Sequence, residues 1–251
     1  RNLEDVMAEH FDIVTQYKKD FTRYETEEKK PYLTQIYDLI PAELNAANKR
    51  FNFADIQKGL RYSRSEDHFI WLAGAGVALP VFNVSEPTVP LLLNEKSSLF
   101  KLFLSDVGML TTLYGRATKM QLLSENQDIN NGALYENAVA QELKAHGFKL
   151  YYYNSRKFGE LDFVIEYKGR VLPIEVKSGK SYQRHSALNN IMDISNYSIE
   201  EGFVLSNYNV EVKGNLIYYP IYMLMFIEND DIKMPVVKLD DLSDISQADN
   251  K

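Results

Sequence analysis

Residues 159–178 read GELDFVIEYKGRVLPIEVKS, and this stretch decides the fold. Two runs, Glu160–Tyr167 and Arg170–Lys177, alternate apolar and polar residues on either side of Lys168-Gly169. Alternation with period two marks a strand, and a two-residue pair ending in Gly between such runs marks a tight hairpin, with Gly supplying φ > 0. In the first strand Leu161, Phe163 and Ile165 share one face, while Glu160, Asp162, Val164 and Glu166 share the other. In the second, Leu172, Ile174 and Val176 share one face, with Glu175 and Lys177 on the other. A two-residue loop pairs Tyr167 with Arg170. Counting outward, it sets Asp162 opposite Glu175 and Glu160 opposite Lys177. A three-residue loop would turn Glu175 away from Asp162.

Opposed residues on one face hold their Cβ atoms about 4.5–5.5 Å apart. Two carboxylates so placed repel, and a bound Mg²⁺ or Mn²⁺ removes the conflict, because hard cations take carboxylate oxygens and keep several waters. Such an ion activates water and stabilises an attacked phosphodiester. Lys177 points the same way and suits the charge that develops on phosphate. Glu136, on a preceding helix, is a third candidate carboxylate. The candidate catalytic set is Asp162, Glu175 and Lys177, and the candidate metal set is Asp162, Glu175 and Glu136. The same pattern also fits a half-exposed strand whose Glu–Lys pair serves solubility.

Upstream, residues 3–24 read as a helix, with Val6, Phe11, Val14, Tyr17, Phe21 and Tyr24 near three- and four-residue spacing. Tyr32–Ile40 reads as a short helix stopped by Pro41. Phe53–Leu60 and Ser65–Ala75 read as two more, the last ending at Gly74 or Gly76. Extended runs come next at Val77–Val84 and Ser98–Leu104. Three short helices and a two-stranded ribbon are the pattern of a winged helix, which binds duplex DNA through its third helix. Lys58, Arg61 and Arg64 precede that helix and are candidate phosphate contacts. Glu66 and Asp67 at its start face phosphate badly, which leaves a packing or protein-binding role open.

Residues 106–131 are weakly patterned and hold the expected boundary. Beyond it come a helix at Gly132–His146, a strand at Lys149–Tyr153, the hairpin, a helix at Ser181–Ile194, strands at Gly202–Ser206 and Asn215–Tyr219, and a helix at Pro220–Ile227. The order α-β-β-β-α-β is α/β, or α+β once the leading helices are counted. The expected division is a helical, winged-helix-like region at 1–128, an α/β domain with a mixed sheet at 129–227, and an acidic tail at 228–251.

The 251 residues include 28 Lys and Arg, 35 Asp and Glu, four His and no Cys, for a formal charge of −7. At 45% apolar, the chain has material for a core, so global disorder is excluded. Without Cys there are no disulfides, thiolate metal sites or Cys nucleophiles. No run approaches about 18 apolar residues, and no signal pattern opens the chain, so the expectation is a cytoplasmic protein without membrane contact. The acidic balance argues against non-specific coating of nucleic acid. Residues 149–184, however, carry eight basic against four acidic residues. Lys180 and Arg184, just past the hairpin, are candidate phosphate contacts, with His185 beside them. His10, His68, His146 and His185 have no metal-ligand spacing. Tyr151–Tyr153 read more simply as strand residues than as a base-stacking surface.

The run Glu160-Leu-Asp162-Phe-Val-Ile to Pro173-Ile-Glu175-Val-Lys177-Ser-Gly179, with a helix around Glu136 before it, resembles the PD-(D/E)xK restriction-endonuclease-like fold. Further pieces are Tyr17, Asp20 and Tyr24, Ile40-Pro41, Trp71-Leu72 with Gly74-Ala-Gly76, Phe100-Lys101-Leu and Asp106-Val-Gly108-Met-Leu110. With them, residues 1–227 resemble the C-terminal half of an uncharacterised bacterial and archaeal family of AAA-type ATPases. The resemblance implies a winged-helix region followed by a nuclease-like domain, with Asp162 and Glu175 as metal-binding acids, Lys177 as the motif lysine and Glu136 as a helix carboxylate. It implies an ATPase domain of the same polypeptide as partner, with ATP bound only there, ahead of Arg1. Gly179-Lys180-Ser181 imitates the end of a phosphate-binding loop, but Ile174 stands where the first Gly is required. Three functions are the expectations. The first is metal-dependent cleavage or binding of DNA. The second is a catalytically inactive module that regulates the ATPase through self-association or a protein partner. The third is a winged-helix DNA-binding module.

Overall fold

The computed structural model describes residues 2–24, 30–56, 69–124 and 131–229. Two long helices open it, α1 (Leu3–Tyr24) and α2 (Lys30–Asn45). Strands β1 (Ala78–Val84) and β2 (Glu95–Leu104) come next, then helices α3 (Val107–Leu113), α4 (Arg116–Leu123) and α5 (Gly132–Ala145). The hairpin region supplies β3 (Tyr151–Ser155), β4 (Gly159–Tyr167) and β5 (Arg170–Val176). Helix α6 (Ser186–Met192) and strands β6 (Gly202–Ser206), β7 (Glu211–Lys213) and β8 (Leu216–Pro220) complete it. The eight strands among the described residues form one mixed sheet in the order β2-β1-β3-β4-β5-β6-β8-β7. The α+β class expected from the sequence is what forms. Among the described residues no helix is long and apolar enough to cross a membrane.

Two apolar cores lie on the sheet. The larger joins Val14 and Phe21 of α1, Leu33, Ile36, Tyr37 and Ile40 of α2, Leu110 of α3 and Val139, Ala140 and Leu143 of α5 to Phe163, Ile165, Leu172 and Ile174. The smaller joins Ala187, Leu188 and Ile191 of α6 to Leu161, Val164, Val171 and Val204. Pro41, expected to stop the second helix, lies inside α2. An interior proline costs about 3 kcal/mol. Leu33, Ile36, Tyr37, Ile40 and Leu44 are all buried along that helix, and each apolar side chain so placed contributes about 1.5–3 kcal/mol, so burial wins.

The two strands of the expected ribbon, β1 and β2, form where the sequence places them. They pair antiparallel with each other, and β1 then runs parallel to β3, Phe82 beside Tyr151 and Val84 beside Tyr153. The ribbon is the end of the main sheet, so hydrogen bonding continues across the expected division near residue 128. Of the helix expected at Phe53–Leu60, Phe53–Asp55 is a 3-10 turn with Asn52 as its cap, and the rest lies outside the described residues. Of the helix expected at Ser65–Ala75, residues 69–74 are helical and 65–68 lie outside them. The weakly patterned segment after Leu104 holds α3 and α4, with Asp106 capping α3 through the Met109 N–H at 3.0 Å. Helix α6 starts at Ser186, five residues later than expected, because residues 180–183 form a turn. Pro220–Ile227 is a 3-10 stretch, Ile221–Phe226, rather than an α-helix.

Candidate functional site

The hairpin register is the one the two-residue loop demands. Tyr167 pairs with Arg170, Ile165 with Leu172 and Phe163 with Ile174. Both turn residues take positive φ, 52° at Lys168 and 75° at Gly169, as a primed turn requires. Continued one step, this register brings Asp162 to Glu175. The Asp162 carboxylate is fixed there by the Val176 N–H, which donates to its Oδ2 at 2.8 Å.

Strand β4 departs from plain alternation at this point. Tyr151 pairs with Val164, but Tyr153 pairs with Leu161, so β4 fits one extra residue against β3. This is a β-bulge, which kinks a strand and re-aims its side chains. Leu161 therefore joins Val164 in the smaller core while Phe163 and Ile165 stay in the larger one. The expected common face of Leu161, Phe163 and Ile165 is broken at Asp162. Glu160 does not meet Lys177. It pairs with Asn154 of β3, and its Oε1 lies 2.6 Å from the Lys101 Nζ.

Four carboxylates and three ammonium groups converge. Asp162, Glu175 and Glu136 are 9%, 6% and 3% exposed, while Glu160 is partly open. Lys177 donates to the Oε1 of Glu175, and Lys49 donates to the Oε1 of Glu136. The second oxygens of Glu136 and Glu175 are buried and meet no hydrogen-bond donor. Burial, with Asp162 next in importance, pushes the carboxyls of Glu136 and Glu175 well above the ordinary range, against the pull of the lysines. Lys101 is 0% exposed and lies 4.9 Å from the centre of the Tyr152 ring. Burial alone lowers the Lys101 pKa, but Glu136, Asp162 and Glu160 outweigh it and keep the ammonium charged.

Lys49 and Lys101 are the members that the sequence pattern did not reveal. Lys101 had a signal: it is the one charge within Leu99–Leu104, and a lone ammonium in an apolar strand must find a carboxylate. Lys49 sits in a loop after α2 and had none. Lys58, Arg61 and Arg64 lie outside the described residues, as does His68. Lys180 and Arg184 are exposed on the turn after β5. His185 does not face outward with Arg184. It is 5% exposed, and its ring nitrogens meet Asn189 at 3.0 Å and the Tyr218 hydroxyl at 2.6 Å. Tyr151, Tyr152 and Tyr153 are buried in the sheet.

Among the described residues no group of three or more His, Asp or Glu side chains is placed to hold a metal ion. The oxygens left open to a hard cation are the two buried, donor-free ones on Glu136 and Glu175, beside the Asp162 carboxylate that repels both.

Residues 8–120 match a family model described as a domain of unknown function (DUF8612). Residues 131–224 match a second, also described as a domain of unknown function (DUF4143). Lys49 and Lys101 lie in the first match, and the four carboxylates with Lys177 lie in the second. No curated protein and no solved structure matches the chain.

Proposed function

We propose that the Asp162–Glu175–Lys177 cluster is a divalent-cation-dependent phosphodiesterase site that acts on DNA. The observation that carries this reading is the pair of buried, donor-free oxygens on Glu136 and Glu175, set beside Asp162. An apolar pair would cost less at these positions, and a bound cation would offset the cost of burying the two carboxylates. Asp162 and Glu175 would hold Mg²⁺ or Mn²⁺, with Glu136 as a further ligand. An ion bound there would supply activation of water at neutral pH and stabilisation of charge on the phosphoryl oxygen. The Val176 N–H fixes the Asp162 carboxylate, and Lys177 is left to face the charge that grows on phosphate.

Cleavage of linear, branched and single-stranded DNA with Mg²⁺ or Mn²⁺ tests the reading. Asp162→Asn, Glu175→Gln and Lys177→Met should each lower the rate by about 100-fold or more. Indistinguishable product traces for wild type and Asp162→Asn would remove the catalytic claim.

A second reading has its own observation. Lys49, Lys101 and Lys177 already neutralise most of the carboxylate charge from within. Such a cluster serves equally as an ionic core of a regulatory module. The segment at 131–224 matches a domain found in AAA-ATPase-associated proteins, which supports an ATPase domain of the same polypeptide as its partner. ATP would then bind that domain, not Gly179-Lys180-Ser181. Light scattering for self-association, and a pull-down with the ATPase domain, separate this reading from the first.

A further inference from the structure

Strands β5, β6 and β8 run parallel, and in open sheets ligands collect outside the carboxyl ends of such strands. The candidate site lies at that end. So do the turn after β5, residues 177–185, and the loop after β6, which begins at Asn207. The Lys177 N–H ties the turn to β6 by donating to the Leu205 carbonyl at 2.8 Å, and the loop after β6 is held locally by the Tyr208 N–H, which donates to the Ser206 Oγ at 3.2 Å. Asn207 also donates to the hydroxyl of Tyr135, the neighbour of Glu136.

Across these two segments, Tyr182 and Tyr208 stack with ring centroids 4.1 Å apart and planes 19° from parallel. Tyr182 is braced edge-on by Tyr218, centroids 5.8 Å apart, and His185 anchors the Tyr218 hydroxyl. Tyr208 is 37% exposed. One of its faces is taken by Tyr182, so its open area belongs to the other face and the ring edge. The surrounding charges are Lys177, Lys180 and Arg184 on the turn, and Lys213, which pairs with Glu211 at 2.9 Å. Lys180 and Arg184 are exposed and have no ion-pair partner among the described residues.

An exposed, rigidly backed aromatic face next to unpaired cations is the chemistry of single-strand recognition: the ring stacks on a base, and the cations take the phosphates. A duplex hides its base faces and cannot use the ring. We infer that Tyr208, backed by Tyr182, stacks on an unpaired base and so makes the site selective for single-stranded nucleic acid. Lys180 and Arg184 hold the flanking phosphates, and Lys177, which pairs with Glu175, opens the turn that carries Tyr182. The inference deepens the phosphodiesterase reading and rests on it for the cleavage of the bound strand, not for the contact itself.

The test uses the full chain in EDTA, so that cleavage plays no part. Fluorescence anisotropy is read with labelled strands of about 12 nucleotides, as single-stranded DNA, single-stranded RNA and duplex DNA. One or both single strands should bind at least about tenfold more tightly than the duplex, and the two arms show which sugar is accepted. Tyr208→Leu should weaken single-strand binding about tenfold and leave duplex binding unchanged, while Tyr208→Phe should retain it. Replacing Lys180 and Arg184 by Ala should reduce the salt dependence of binding by about two phosphate contacts. Thermal melts of each variant confirm that the fold persists. Equal affinity for single strand and duplex, no binding to either, or a Tyr208→Leu variant that binds like wild type overturns the inference. Selective binding without cleavage would remove the phosphodiesterase reading alone. Cleavage without strand preference would remove this inference alone.

Discussion

The buried ammonium of Lys101 is the residue on which the charge cluster turns. It is fully enclosed, paired with Glu160 and close enough to Glu136 and Asp162 for both to hold its proton. Removing one member of a buried ion pair costs about 3–5 kcal/mol, because the partners stay buried without compensation. Lys101→Met keeps most of the volume and loses the charge. Urea unfolding should show a loss of about that size with the slope unchanged, and an unshifted midpoint would show that the acids are neutralised in some other way. Glu43 offers a cleaner titration, being far in sequence from the hairpin. It is buried, and burial, followed by Asp55, raises its pKa to about 7. A carboxyl whose folded pKa exceeds the unfolded one favours the folded state when protonated, so its contribution is lost as pH rises from below 5 through about 7. Glu43→Gln should therefore match wild type near pH 4.5. By pH 8 it should be more stable by about 1–2 kcal/mol, allowing for nearby solvent. Melting curves that stay parallel across this range would refute the assignment.

At the scale of elements, the hairpin was legible and the bulge was not, for one physical reason. A two-residue loop with Gly169 sets the β4–β5 register locally, so Asp162 and Glu175 could be brought together by counting. The bulge depends on how β4 meets β3, and the turn between them, residues 156–158, holds no two-residue pair ending in Gly from which a register can be counted. Likewise the pairing of β1 with β3 joins residues about seventy apart in the chain, and nothing near the ribbon names that neighbour. Gly159, which opens β4, shows how tightly this strand is held. Its φ is +95°, and a Cβ there would lie 2.9 Å from the Cβ of Ala187 on α6. Gly159→Ala adds a left-handed backbone penalty to an overpacked contact, together about 2–4 kcal/mol. It should also displace α6 from the strand that carries Asp162. A thermal melt gives the first effect. Hydrogen exchange at α6 and β4 gives the second, and wild-type protection there would contradict the close contact.

For the whole molecule, the sheet and the charge cluster make the same demand. Residues 131–224 hold Glu136, Glu160, Asp162 and Glu175 but only Lys177 among the site's cations. Lys49 and Lys101 come from the other matched segment, and so does β1, which covers the edge of β3. Cut out alone, residues 131–229 would bury Glu136 with no ammonium beside it and expose the edge strand β3, which carries Tyr151–Tyr153. Unpaired buried carboxylates take up protons or water at the expense of packing, and bare aromatic edges aggregate. The excised segment should therefore lack a cooperative melt at neutral pH and associate in light scattering. Lowering the pH toward 5 protonates the surplus carboxyls and should recover part of the folded signal; it leaves the bare edge in place. Supplying residues 1–124 in trans should restore both the melt and a monodisperse species. A segment that folds alone with a sharp transition would mean that Lys49 and Lys101 only decorate a self-sufficient domain, and the composite site would have to be given up.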